Sequence, residues 1–213
     1  MSSDASTAPA GRTEQGGYRL LGVSGSLRSN AYSTAVLRAL AVAAGQRAIF
    51  DYADIGTLPH FNQDLYVEPL PETVAQFRQQ IERCDGLVIS SPEYNHGIPG
   101  VLKNALDWAS RPHNGSPLKG KSVLIVTSSP AFTGGARAQY QIRETLVSAL
   151  ARPVSTAEIV VGMVGTKIVD GRLIDPATTE FARNSFETMF AEIAGASQLS
   201  RAARSPTKLE LHL

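Results

Sequence analysis

Two stretches of this chain are apolar for nearly their whole length, yet short: DGLVISS at residues 85–91 and KSVLIVTSS at residues 121–129. Short runs of this kind, rich in Val and Ile and bounded by polar residues, suit strands covered on both faces. Such strands belong to parallel sheets, because the connections between parallel strands place helices on the two sides. The rest of the chain supplies that alternation. YRLLGVS (18–24), AIFDYAD (48–54) and STAEIVVG (155–162) read as further strands. Between them lie helical patterns at 33–44, 71–84, 99–110 and 136–151, with a last one at 175–196. In the first, Leu37, Leu40 and Ala41 share one face and Gly45 follows as a stop. In the second, Pro71 and Glu72 occupy the opening turn, where proline and an acid are favoured. Residues 55–71 read as a long loop.

Strand and helix alternate through the chain, which predicts an α/β fold. The arrangement that fits is a flavodoxin-like three-layer sandwich: a five-stranded parallel sheet in order 2-1-3-4-5 with helices on both faces. With 213 residues there is room for one such domain, taken as 18–198, between tails at 1–17 and 199–213. Net charge is +1, which excludes strong bulk attraction to nucleic acid or an anionic membrane. No apolar run reaches the length of a membrane helix, and the opening residues show no apolar signal segment. The single cysteine, Cys84, closes a helical pattern and reads as a small buried hydrophobe; one cysteine suits a reducing, cytoplasmic setting. No metal site is assigned.

GSPLKGKS at 115–122 matches the phosphate-loop pattern through Gly115, Gly120, Lys121 and Ser122. A working phosphate loop leaves a strand and opens a helix, so that main-chain N–H groups converge on the anion. This one leaves a helix and enters a strand, and Pro117 removes a donor. Lys121 is therefore read as a solvated charge at a strand start. GVSGS at 22–26 resembles a nucleophile elbow, but its last position is Ser26 rather than glycine. Nothing in the sequence pairs His60, His96, His113 or His212 with Ser24.

In an open parallel sheet, ligands bind beyond the carboxyl ends of the strands where strand order reverses. Three loops meet there. SGSLRSNAYST (24–34) offers hydroxyls and one guanidinium, Arg28, and runs straight into a helix, a combination that suits a single phosphate. SSPEYNHGIPG (90–100) carries Glu93, Tyr94, Asn95 and His96 between Pro92 and Gly97, and could hold a planar ring. SSPAFTGGARAQY (128–140) places Ser129 at a strand tip, with Gly134 and Gly135 allowing close approach.

Together GSLRSNAYS, PEYNHGIPGVLKNALDW and TSSPAFTGGARAQYQIR resemble the NADPH-dependent FMN reductase family, in its chromate and quinone reductase branch. The likeness runs from about Arg19 to Ile168. It implies bound FMN as cofactor and NADPH or NADH as co-substrate. The FMN phosphate is expected in the loop of Ser26, Leu27, Arg28, Ser29, Asn30, Ala31, Tyr32 and Ser33. The flavin ring is expected against Pro92, Glu93, Tyr94, Asn95 and His96, near Ser129. No side chain is assigned a catalytic role, since hydride passes through flavin N5. The acceptors implied are quinones, free flavin, azo compounds, ferric complexes or chromate. The resemblance also implies a homodimer or homotetramer, with Trp108, Arg111, Arg137 and Tyr140 placed near the subunit contact. Three positions depart from the family pattern. Relatives often carry Ser at Ala31, Asn at Ser33 and, in the chromate-reducing branch, Tyr at His96. An electron carrier or flavin sensor without nucleotide turnover is the alternative; true flavodoxins are usually strongly acidic, unlike this chain.

Overall fold

The computed structural model describes residues 17–204. Its main sheet runs β2-β1-β3-β4-β5 and is parallel throughout, as the sequence predicts. The strands are β1 (Tyr18–Ser24), β2 (Ala48–Ala53), β3 (Gly86–Pro92), β4 (Ser122–Ser128) and β5 (Arg152–Pro153). A sixth strand, β6 (Ile159–Val161), pairs with the far end of β4. The last strand is thus split. Arg152 and Pro153 lie against Ser122 and Val123, whereas Ile159–Val161 lies against Val126–Ser128.

The long helices are α1 (Tyr32–Ala43), α2 (Glu72–Arg83), α3 (Gly100–Ala109), α4 (Ala136–Ser148) and α6 (Pro176–Arg204), with a single turn, α5 (Val164–Lys167), before a small hairpin. That hairpin, β7 (Ile168–Val169) and β8 (Arg172–Leu173), is absent from the sequence reading because each arm is two residues long. Its turn was signposted: Asp170 and Gly171 both take positive φ, 48° and 72°, which an Asp-Gly pair tolerates. Helix α6 runs to Arg204 instead of ending at residue 196. Gln198, Leu199 and the alanines and arginines beyond are good helix formers, and no breaker interrupts them. The remaining tail residues, 1–16 and 205–213, lie outside the described residues.

Side-chain alternation along the strands divides the core in two. Leu21, Leu87, Ile89, Val123 and Ile125 meet Phe77, Leu102, Leu106, Trp108 and Ile142 from α2, α3 and α4. Their neighbours Leu20, Val88, Leu124 and Val126 meet Leu37, Leu40, Phe186 and Phe190 from α1 and α6. All these residues are buried, so truncating one of the leucines to alanine costs about 2–5 kcal/mol. Two packed faces fix the strand ends rigidly, and the three loops rise from those ends.

The phosphate-loop look-alike sits at the opposite, amino-terminal end of the strands. Residues 115–122 pass from a 3-10 turn at His113–Gly115 into β4. Lys121 is half-buried, not a freely solvated charge. Its Nζ donates to the main-chain carbonyls of Glu82, at 3.1 Å, and of Cys84, at the carboxyl end of α2. A cation on the last carbonyls of a helix satisfies acceptors that lack a partner within it.

Candidate functional site

The first loop is drawn over the end of the sheet by short polar contacts. Gly25 N–H donates to Ser90 C=O at 2.8 Å, and Ser90 Oγ donates to Ser33 C=O at 2.7 Å. A Cβ on Gly25 would lie 2.6 Å from Ser91 Oγ, so only glycine fits that crossing. Ser24 Oγ lies 2.8 Å from Thr34 Oγ1 and 3.2 Å from Ser33 Oγ. These hydroxyls and the main chain of Ser26, not a histidine, are the partners of Ser24 among the described residues, which leaves no base for a hydrolase nucleophile; His212 lies outside the described residues. Helix α1 then opens at Ala31, whose side chain offers no cap, and its first turn carries no acid.

The second loop contains a tight turn. Tyr94 and Gly97 exchange main-chain hydrogen bonds of 2.9 Å in each direction. Asn95 and His96 between them take φ of 50° and 65°, the two left-handed positions of a type I′ turn. Before the turn, the Glu93 carboxylate accepts from Arg137 N–H at 2.9 Å and Ala138 N–H at 3.1 Å. It thereby caps α4, whose own N-cap is Gly135 in the left-handed region. The Arg137 guanidinium lies 3.7 Å from the same carboxylate. Tyr94 Oη reaches back to Ser26 Oγ at 3.2 Å and ties the second loop to the first.

A pocket of about 140 Å³ opens where these loops meet. It gathers Ser26, Arg28, Ala31, Tyr32 and Ser33 from the first loop and Pro92, Glu93 and Tyr94 from the second. Ser128 and Pro130 complete its wall. Neither was singled out from the sequence, although the hydroxyl run TSS at the end of a buried strand was a usable signal. Ser128 Oγ is buried and has no hydrogen-bond partner among the described residues. Ser129, the residue expected here, instead accepts from Ala131 N–H at 3.1 Å through its own hydroxyl. Leu27 lines an adjoining pocket of about 390 Å³ with Pro99 and Val101; Ser26, Arg28 and Tyr94 are shared by both pockets. Ser29 and Asn30 turn to a third cavity of about 430 Å³, which holds one guanidinium, Arg38, and one carboxylate, Asp170. Asn95 and His96 are exposed at the tip of their turn.

The residues placed near a subunit contact divide. Arg137 and Tyr140 are exposed, Tyr140 at 63%. Trp108 is wholly buried in this chain: its Nε1 donates to Pro59 C=O at 2.8 Å and its ring meets Phe61 edge-on, so it faces no partner. Arg111 is half-buried, its guanidinium 5.3 Å from the centre of the Phe61 ring.

The model of the NADPH-dependent FMN reductase family matches residues 18–166. The chain is 37% identical over 172 residues to an NAD(P)H-dependent FMN reductase of Pseudomonas aeruginosa, covering 80% of this chain and 92% of that protein. It is 39% identical over 160 residues to a quinone reductase of Escherichia coli, covering 73% and 85%. Among solved structures it is similar to a flavoenzyme NAD(P)H:(acceptor) oxidoreductase from Paracoccus denitrificans, with a TM-score of 0.75, 30% identity, and coverage of 83% and 97%.

Proposed function

This chain belongs to the NADPH-dependent FMN reductase family, and we propose that it is an FMN-dependent NAD(P)H oxidoreductase whose cofactor phosphate is held by Ser26, Arg28 and Ser33. The observation that carries the site is the 140 Å³ pocket, where an uncapped helix start meets hydroxyls and a guanidinium. The residues fit an anionic group. The first N–H groups of α1 lack acceptors within the helix, and Ala31 supplies none. Ser128 Oγ is a buried donor awaiting an acceptor. Arg28 is exposed and forms no ion pair among the described residues. A phosphate satisfies all three conditions at once.

Bound FMN would supply the hydride and electron transfer between NAD(P)H and a small acceptor. The chain's own residues bind, orient and shield. Pro92, Glu93 and Tyr94 present the edge of the second loop to the ring. Glu93 is spent on capping α4 and serves as a strut, not as a proton donor. The adjoining 390 Å³ pocket, with Leu27, Pro99 and Val101 on its wall, suits an apolar planar acceptor beside Tyr94. Quinones are the acceptor class favoured, because relatives covering most of this chain are quinone reductases. The enzyme works in the cytoplasm, in keeping with its single, buried, free cysteine. It assembles as a homodimer or homotetramer; Phe132, 85% exposed, and Tyr140 supply apolar surface for such a contact.

Steady-state oxidation of NADPH with a benzoquinone tests the activity. Turnover that requires both FMN and the quinone is expected. A protein that binds FMN yet oxidises NADPH no faster than free FMN does would be an electron carrier instead.

A further inference from the structure

The type I′ turn at Tyr94–Gly97 carries a single pair of ladder hydrogen bonds. A two-stranded ribbon is marginal in water even with several rungs, so one rung does not fix this turn on the protein. Something else must aim it. At its leading end the Glu93 carboxylate is anchored on Arg137 and Ala138 N–H. At its trailing end Ile98 N–H donates to Gln141 Oε1 at 3.0 Å. Both anchors lie on the first two turns of α4, and residues 137 and 138 are three to four positions from 141, one turn along the same face. The two ends of the turn are therefore referred to one rigid rod.

The contact at Gln141 is built closely. A Cβ on Gly97 would come within 3.1 Å of Gln141 Oε1, and glycine removes that obstacle. Gln141 is exposed, where a glutamine side chain is ordinarily free to sample rotamers, and ordering it has an entropic cost. Its side-chain oxygen nevertheless meets the one main-chain donor that follows the turn. Gln141 lies within the stretch TSSPAFTGGARAQYQIR but is not singled out there, because an exposed helical glutamine looks like solvated surface.

We propose that Gln141 is a positioning residue of the flavin site. Through Ile98 N–H it holds the Asn95–His96 turn at the spacing from the strand ends that the ring requires. It touches neither cofactor nor acceptor, and acts by ordering the turn before they arrive. The inference rests on the FMN reading of the pocket.

The test compares Gln141→Leu, which keeps the bulk and removes the acceptor, with Gln141→Glu, which keeps an acceptor oxygen. Amide hydrogen exchange on the full chain without flavin reads the contact itself. FMN affinity, from quenching of flavin fluorescence, reads its consequence. In Q141L, exchange at Ile98 is expected to speed up and the Kd for FMN to rise about three- to tenfold, as befits one neutral hydrogen bond. Q141E is expected to restore most of both, and exchange at Val123 and Ile125 in the sheet should not change. An Ile98 amide as protected in Q141L as in the parent, an unchanged Kd, or an equal loss in Q141E would overturn the proposal. If the parent chain bound no FMN while Ile98 exchange still responded to Q141L, the flavin reading would fail and the contact would stand as purely structural.

Discussion

The Glu93 carboxylate lies 2.9 Å from the main-chain N–H of Arg137, across 44 residues of sequence. One acid after β3 thus caps the helix that follows β4, and joins the two loops that flank the pocket. Charge at a helix start and a satisfied donor both stabilise. Glu93→Ala should destabilise the chain by about 1–2 kcal/mol in urea unfolding. It should also weaken FMN binding, because Tyr94 follows directly. Full stability in E93A would show that α4 finds another cap.

Arg28→Ala should behave in the opposite way. The side chain is exposed and makes no hydrogen bond among the described residues, so stability should not move. Loss of a charge-assisted phosphate contact of about 1.5–3 kcal/mol corresponds to roughly a 10- to 150-fold rise in the Kd for FMN. Riboflavin, which lacks the phosphate, should bind R28A and the parent equally. Equal weakening for both ligands would place the phosphate elsewhere.

The sheet was readable because its strands are apolar runs separated by helices of ordinary length. The two-residue arms of the β7–β8 hairpin carry no periodicity, and only the Asp-Gly turn announced them. At the site, residue types told which loops to inspect, but not which way side chains face. Ser26, Arg28 and Ser33 share a pocket, whereas Ser29 and Asn30 from the same loop face another cavity. The family resemblance placed Trp108 near a subunit contact, whereas tertiary packing against Phe61 buries it. Gln141 and the capping role of Glu93 depend on contacts between distant segments, which local pattern does not encode.

Burial pushes the Cys84 thiol up to about 11, with Lys121 pulling it partly back. The folded value is thus above the unfolded one of about 8.5. The thiol's contribution to stability is complete below that pH and is lost as pH rises from about 8.5 toward 11. Against Cys84→Ala, the parent should lose stability more steeply across that window. A thiol reagent at pH 8 should label the folded chain only after guanidinium is added. Rapid labelling without denaturant would contradict the burial.

Asp175 has the reverse sign. A hydrogen bond from the Thr178 hydroxyl, aided by Lys167 at 3.2 Å, holds its carboxyl below the ordinary aspartate value. Its contribution is present above about pH 3.9 and fades as pH falls through the lowered folded value. Thermal melts of the parent and Asp175→Asn should differ at pH 6 and converge in strong acid. A gap that persisted unchanged at the lowest pH would assign the effect to something other than the charge.

In the function proposed for this chain, the pocket between the first and second loops holds FMN and couples it to NAD(P)H. The most direct test is an anaerobic absorbance titration of the purified chain with FMN, followed by NADPH and then by a benzoquinone. Saturation at one FMN per chain, bleaching of the visible band on NADPH, and its return on the quinone are expected. A chain that takes up no FMN, or whose bound FMN stays yellow with excess NADPH, would contradict it.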